Sequence, residues 1–197
     1  MVPAVLAIAV AGCSATNPPR RIDDACSIFR EKKGWYQDAS EARKRWGVPI
    51  PIQLAFVRTE SSFDGDARPP RHKILGFIPG SRPSDAKGYA QALESTWGEY
   101  RKAVRGGADR DDFADAVDFI GWYNARSSEI CGIPRDDAYS LYLAYHEGPM
   151  GYRRGTHRNK NWLLGTARRV ATRAARYDSQ LSQCEAELKP KRHGWFF

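Results

Sequence analysis

The apolar residues of this chain recur at helical spacing along most of its length and nowhere alternate over the length of a strand. That period is what most limits the fold. Ile52, Ala55, Phe56, Thr59 and Phe63 fall at i, i+3, i+4, i+7 and i+11, one stripe facing a core. The same spacing predicts helices at about 22–46, 51–63, 91–104, 110–129, 135–147 and 160–187. Gly47 ends the first, and Pro49 and Pro51 separate it from the second. The expected fold class is mostly α, as one domain, and 197 residues suffice for a substantial core.

Glu60 lies on the stripe at i+8, in line with buried residues. A carboxyl there loses water, and near a helix C-terminus it also feels the negative end of the dipole. Both effects raise its pKa, as a general acid working near neutrality requires. The competing reading is a boundary glutamate that reaches solvent or pairs with Arg58 or Arg68. Residues 64–88 form the longest irregular stretch, and loops of that length in compact domains are usually functional or disordered. Ile74, Leu75, Phe77 and Ile78 argue against disorder, so a packed wall or lid beside Glu60 is expected.

The 31 Lys and Arg against 23 Asp and Glu give a net charge of +8. The bases are scattered in pairs and triplets, which fits a solvated surface better than a nucleic-acid stripe. Four dispersed histidines and no paired cysteine spacing make no metal-ligand set, and no cofactor motif is found.

The N-terminal run VPAVLAIAVAGCS is too short to span a bilayer and ends in small residues before Cys13. It resembles a bacterial lipobox, although no Lys or Arg precedes the apolar run. The resemblance implies a signal peptide at 1–12, lipidation of Cys13, and export. Ser14 after the cysteine implies the outer membrane. Residues 13–21 then read as a lipidated tether, 22–187 as the domain, and 188–197 as a basic and aromatic tail. Exported proteins can form disulfides. Cys26 and Cys184 sit on apolar stripes of the first and last helices and are candidates to pair, the alternative being two buried thiols; Cys131 is expected to stay free.

Three short motifs follow in order. Glu60-Ser61-Ser62-Phe63 joins the candidate acid to hydroxyls able to orient it. Gly88-Tyr89-Ala90-Gln91 offers close backbone approach and an amide that can bond a sugar. Ala144-Tyr145-His146-Glu147-Gly148 places Tyr145 on the stripe of Ala138, Leu141 and Tyr142, where an inward phenol needs a partner such as a buried carboxyl. This order resembles the lytic transglycosylases of the soluble-transglycosylase type, with a goose-lysozyme-like fold, over roughly residues 26–184.

The resemblance implies peptidoglycan glycan strands as substrate and cleavage between N-acetylmuramic acid and N-acetylglucosamine. It implies Glu60 as the single acid/base, Gln91 as a substrate contact and Tyr145 as the group that positions Glu60. Ser61, Tyr89 and His146 would join the substrate contacts. The family usually has Leu-Met where this chain has Tyr89-Ala90, and Asn where it has His146. Trp97, Trp122, Tyr123 and Trp162 could stack on sugars or belong to the core. A monomer held to the membrane by its lipid, with no nucleic-acid partner, is expected. The alternatives are a hydrolytic muramidase using Asp64, Asp66, Asp85 or Glu147 as second carboxylate, and a peptidoglycan-binding lipoprotein without catalysis.

Overall fold

The computed structural model describes residues 16–71, 73–74, 78–79 and 81–189, the side chains of 73, 74, 78 and 79 excepted. Cys13 and the signal segment lie outside the described residues, as do Leu75, Phe77 and the tail beyond Lys189. Within them the chain is helical: α1 (Ala25–Glu31), α2 (Trp35–Trp46), α3 (Ile50–Glu60), α4 (Glu94–Ala103), α5 (Phe113–Cys131), α6 (Ala138–Glu147), α7 (Pro149–Arg154) and α8 (Asn161–Leu188).

The first expected helix is two. Lys32, Lys33 and Gly34 interrupt it, and Gly34 opens α2 with a φ of 97°. Two further differences are α7, which six residues are too few to show as a period, and a two-residue antiparallel pair in the long loop. There β1 (Lys73–Ile74) meets β2 (Ile78–Pro79), with Ile74 opposite Ile78.

Helix α3 runs through the middle. Every residue from Ile50 to Val57 is buried, so the segment is apolar around its whole circumference rather than along one stripe. Gln53, its polar exception, donates to the carbonyls of Ala39 and Val48. Helix α8 packs along α3 and also contacts α6 and α1, whereas α2 packs on α5. The buried residues of α8, Leu163, Ala167, Val170, Ala174, Tyr177, Leu181 and Cys184, alternate steps of four and three, which keeps one seam facing the core over its full length. Gly121 lets α5 close on α2, since a Cβ there would sit 2.6 Å from the Trp46 ring.

The start of the domain also differs from expectation. Gly65 N–H donates to the Thr16 carbonyl at 3.0 Å, and the Thr16 hydroxyl donates to Asp66 at 2.9 Å. The second half of the expected tether is thus fastened to the loop that follows Glu60. At the far end of α8 a disulfide joins Cys184 to Cys26 in α1, with Cα atoms 6.1 Å apart. Cys131 is a free thiol at the end of α5, directed at the Pro149 carbonyl.

Candidate active site

Helix α3 stops at Glu60 because the backbone turns left-handed immediately afterwards. Ser62 and Phe63 have φ of 55° and 64°, and Gln91, in the second motif, has 46°. These are the non-glycine residues with positive φ among the described ones, and all three flank the candidate acid or its neighbouring motif. Such conformations cost energy and persist where surrounding packing enforces them, often at functional sites. Here Phe63 is fully buried and stacked on Trp35. It reaches the core through the turn, not by continuing the helical stripe.

Glu60 is half-buried at the wall of a cleft of about 630 Å³. Burial lifts its pKa from an ordinary 4.5 to about 7, while a hydrogen bond from the Tyr142 hydroxyl pulls the other way. Near pH 7 the carboxyl is therefore divided between acid and carboxylate, as a group that must both give and take a proton should be. Phe56, one turn earlier, presents its ring to Tyr142 and Tyr145, with centroids 5.3 and 5.2 Å away.

The expectation that Tyr145 holds Glu60 is corrected by its partner. The Tyr145 hydroxyl donates to the Ala90 carbonyl at 2.7 Å, tying the third motif to the second, and its ring lines the cleft. Burial and the neighbouring Glu60 charge push the Tyr145 phenol well above its ordinary value. The hydroxyl on the carboxyl belongs to Tyr142, three residues earlier on the same stripe.

Gly88 has a φ of 78°, and a Cβ there would stand 1.9 Å from the Arg110 carbonyl, so no side chain fits. The turn it makes sends Tyr89 into the core, edge-on to Trp35 and Phe113, and not into the cleft as expected. Gln91 does line the cleft. Its amide nitrogen donates to the carbonyls of Ala67 and Gly88, both at 2.9 Å, which leaves the amide oxygen as the acceptor for a substrate hydroxyl or amide. Ser61 is buried and its hydroxyl donates back to the Val57 carbonyl at 3.1 Å, whereas Ser62 accepts from Arg58. Among the described residues neither serine bonds the acid, and Ser61, expected to contact substrate, does not line the cleft.

His146 and Glu147 complete the opposite wall. The His146 ring lies edge-on to Trp162 at 5.0 Å, with Nδ1 3.1 Å from Glu147. Lys160, which precedes α8, donates to both Glu147 oxygens at 2.7 and 2.9 Å, and Thr156 donates as well. Burial would raise the pKa of Glu147, but these donors outweigh it and hold it at about 2. Of the carboxylates named as possible second groups, only Glu147 lines this cleft among the described residues, and its lone pairs are occupied. Tyr123 also faces the cleft, while Trp97 and Trp122 are buried core and Trp162 is exposed. Pro69, Ser84 and Ala86 bring the long loop into the cleft wall.

A glutamate with a raised pKa stands in a groove walled by a long loop and by the motif that ends α6. The family profile described as Transglycosylase SLT domain matches residues 1–184. The chain belongs to the transglycosylase SLT domain family. No curated protein and no solved structure is a significant match. Membership makes this a lysozyme-like helical SLT domain of the lytic-transglycosylase type, acting on peptidoglycan.

Replacing Tyr142 by Phe is expected to slow turnover about tenfold, the scale of one hydrogen bond to a charged group. Because that bond lowers the pKa of Glu60, its loss should move the alkaline limb of the pH–rate profile upward. A slower enzyme with an unmoved limb would reduce Tyr142 to a packing residue.

Proposed function

We propose that this SLT domain cleaves the β-1,4 bond between N-acetylmuramic acid and N-acetylglucosamine with Glu60 as sole acid/base, leaving 1,6-anhydro ends. Protonated Glu60 gives its proton to the bridging oxygen as the bond to the anomeric carbon breaks. The resulting carboxylate takes the proton of the muramyl 6-hydroxyl, whose oxygen closes on the same anomeric carbon. Protons and bonds balance without water, and nucleophile and electrophile belong to one sugar, which raises their effective concentration.

The observation that carries this reading is that, among the described residues, one carboxyl is available in the cleft, and burial lifts its pKa to about 7. A hydrolytic muramidase is the second reading because Glu147 lines the same cleft. An inverting hydrolase needs a second carboxylate free to activate water, and a retaining one needs it free to attack. Glu147 is tied instead to Lys160, Thr156 and His146. Mass analysis of digested peptidoglycan decides between them, since an anhydro end is one water lighter than a reducing end.

We also propose that Cys13 is lipidated and that the enzyme is periplasmic, anchored by this lipid to the outer membrane. The apolar run ending in Ala11-Gly12-Cys13 supports this. Because Thr16 is fastened to Gly65 and Asp66, an anchor three residues earlier would hold the domain close to the membrane surface. No helix among the described residues is long and apolar enough to cross a membrane. The full-length protein should sediment with membranes after a salt wash and Cys13→Ala should not, and stable retention implies more than one acyl chain. Equal sedimentation of the two forms would remove the lipid anchor.

A further inference from the structure

The cleft continues past Leu93. A second cavity of about 690 Å³ opens beside it and shares Ser84, Ala86 and Leu93 with it. Among the described residues its other walls are the cations Arg68, Arg82, Lys87 and Arg110, with Asp85 as the one carboxylate. Lys87 is paired with Asp111 and Arg110 with Glu94, both at 2.7 Å. Arg110 also donates to the carbonyls of Asp85 and Ala92, both at 3.0 Å, so its guanidinium is fixed. Arg68 and Arg82 have no carboxylate partner among the described residues. Arg82 donates to the carbonyl of Pro69, a residue of the catalytic cleft wall, and so stands where the two cavities meet.

A neutral glycan has no use for such a wall, since sugar rings are bound by aromatic faces and neutral hydrogen-bonding groups. Guanidinium groups fit carboxylates, which they hold with paired, charge-assisted hydrogen bonds. In peptidoglycan the free carboxylates sit on the peptide that branches from the lactyl ether of the muramyl residue. A cavity that adjoins the glycan cleft and shares part of its wall is within reach of such a branch.

We propose that the basic cavity around Arg68 and Arg82 binds carboxylates of the stem peptide, so that the enzyme prefers peptide-bearing strands to bare glycan. This rests on the reading of the neighbouring cleft as a peptidoglycan-cleaving site. Lys87 and Arg110, neutralised by their acidic partners, serve as fixed walls of the cavity. Arg68 and Arg82 supply the guanidinium groups left for the ligand.

The test compares cleavage of peptide-bearing strands with that of strands stripped of peptide by an amidase. The wild-type ratio of kcat/KM between the two should be about tenfold or more, the worth of one charge-assisted contact. It should shrink as salt is added, because the site is open to solvent. In Arg68→Ala/Arg82→Ala the ratio should fall towards one, mainly through KM. A ratio near one in the wild type, or an unchanged ratio in the variant, would overturn the peptide site while leaving the catalytic reading intact. A preference for stripped strands that the variant loses would assign the pocket to the bare lactyl carboxylate and overturn the peptide assignment. If neither substrate is cut, the catalytic reading fails, and the peptide site then stands or falls on binding alone. Binding of soluble muropeptides to Glu60→Gln separates these cases, since a peptide-dependent affinity does not require turnover.

Discussion

Glu60→Gln should lower kcat by about 10² to 10⁴, the range that positioned proton transfer contributes, while the protein still folds and binds peptidoglycan. Amide and carboxyl are nearly the same size, so the cleft keeps its shape and loses only its proton. The stability of the variant carries a second signature. Below the ordinary carboxyl pKa of 4.5, folded and unfolded chains both hold the Glu60 proton, and the two proteins should melt together. Between 4.5 and about 7 the unfolded chain gives up that proton and the folded one keeps it. Wild type therefore loses stability relative to the variant across this window. Above about 7 the gap should stay constant, with Glu60→Gln the more stable form. Melting curves at pH 4 and pH 8 check this. Substantial turnover by the variant would remove Glu60 from its role, and a variant less stable than wild type at pH 8 would contradict the buried, reluctant carboxyl.

Reduction of the Cys26–Cys184 disulfide should cost the fold on the order of 4 to 5 kcal/mol if the loss of unfolded-chain entropy dominates, because the bond closes a loop with a sequence separation of 158. For a domain of this size that corresponds to a fall in Tm of roughly 10 °C or more. Activity at moderate temperature should change little, since the bridge ties α1 to the far end of α8, whereas its beginning touches the cleft-wall residues His146 and Glu147 through Trp162 and Lys160. Cys26→Ser/Cys184→Ser should behave like the reduced protein. Equal melting of oxidised and reduced protein, or two free thiols on peptide mapping of exported material, would contradict this.

Much of the fold was legible because its long helices keep an apolar phase. Helix α8 shows it most clearly, from Leu163 to Cys184. Breaks that preserve phase are invisible to the same reasoning, which is why α1 and α2 read as one helix across Gly34. Burial on all sides was also missed at α3, where periodicity singled out one face of a helix enclosed by its neighbours.

At the site, the position of Glu60 was legible from a charged residue out of place on an apolar stripe, and the place of Gln91 and His146 in the cleft wall from their motifs. The partner of the acid was not. Tyr142 and Tyr145 lie one turn apart on the same face of α6, and which hydroxyl meets Glu60 depends on how that face stands against the end of α3. Tyr89 was misplaced because its direction follows from the left-handed turn at Gly88, which composition does not reveal. The Glu147–Lys160 pair joins residues from separate helical ends.

The most direct test of the central claim is mass spectrometry of the fragments released from purified peptidoglycan by the wild-type protein and by Glu147→Gln. The single-acid account predicts anhydromuramyl ends from both, with no incorporation of heavy oxygen from labelled water. Reducing ends that carry the label, lost together with activity in Glu147→Gln, would contradict it and make this domain a hydrolase.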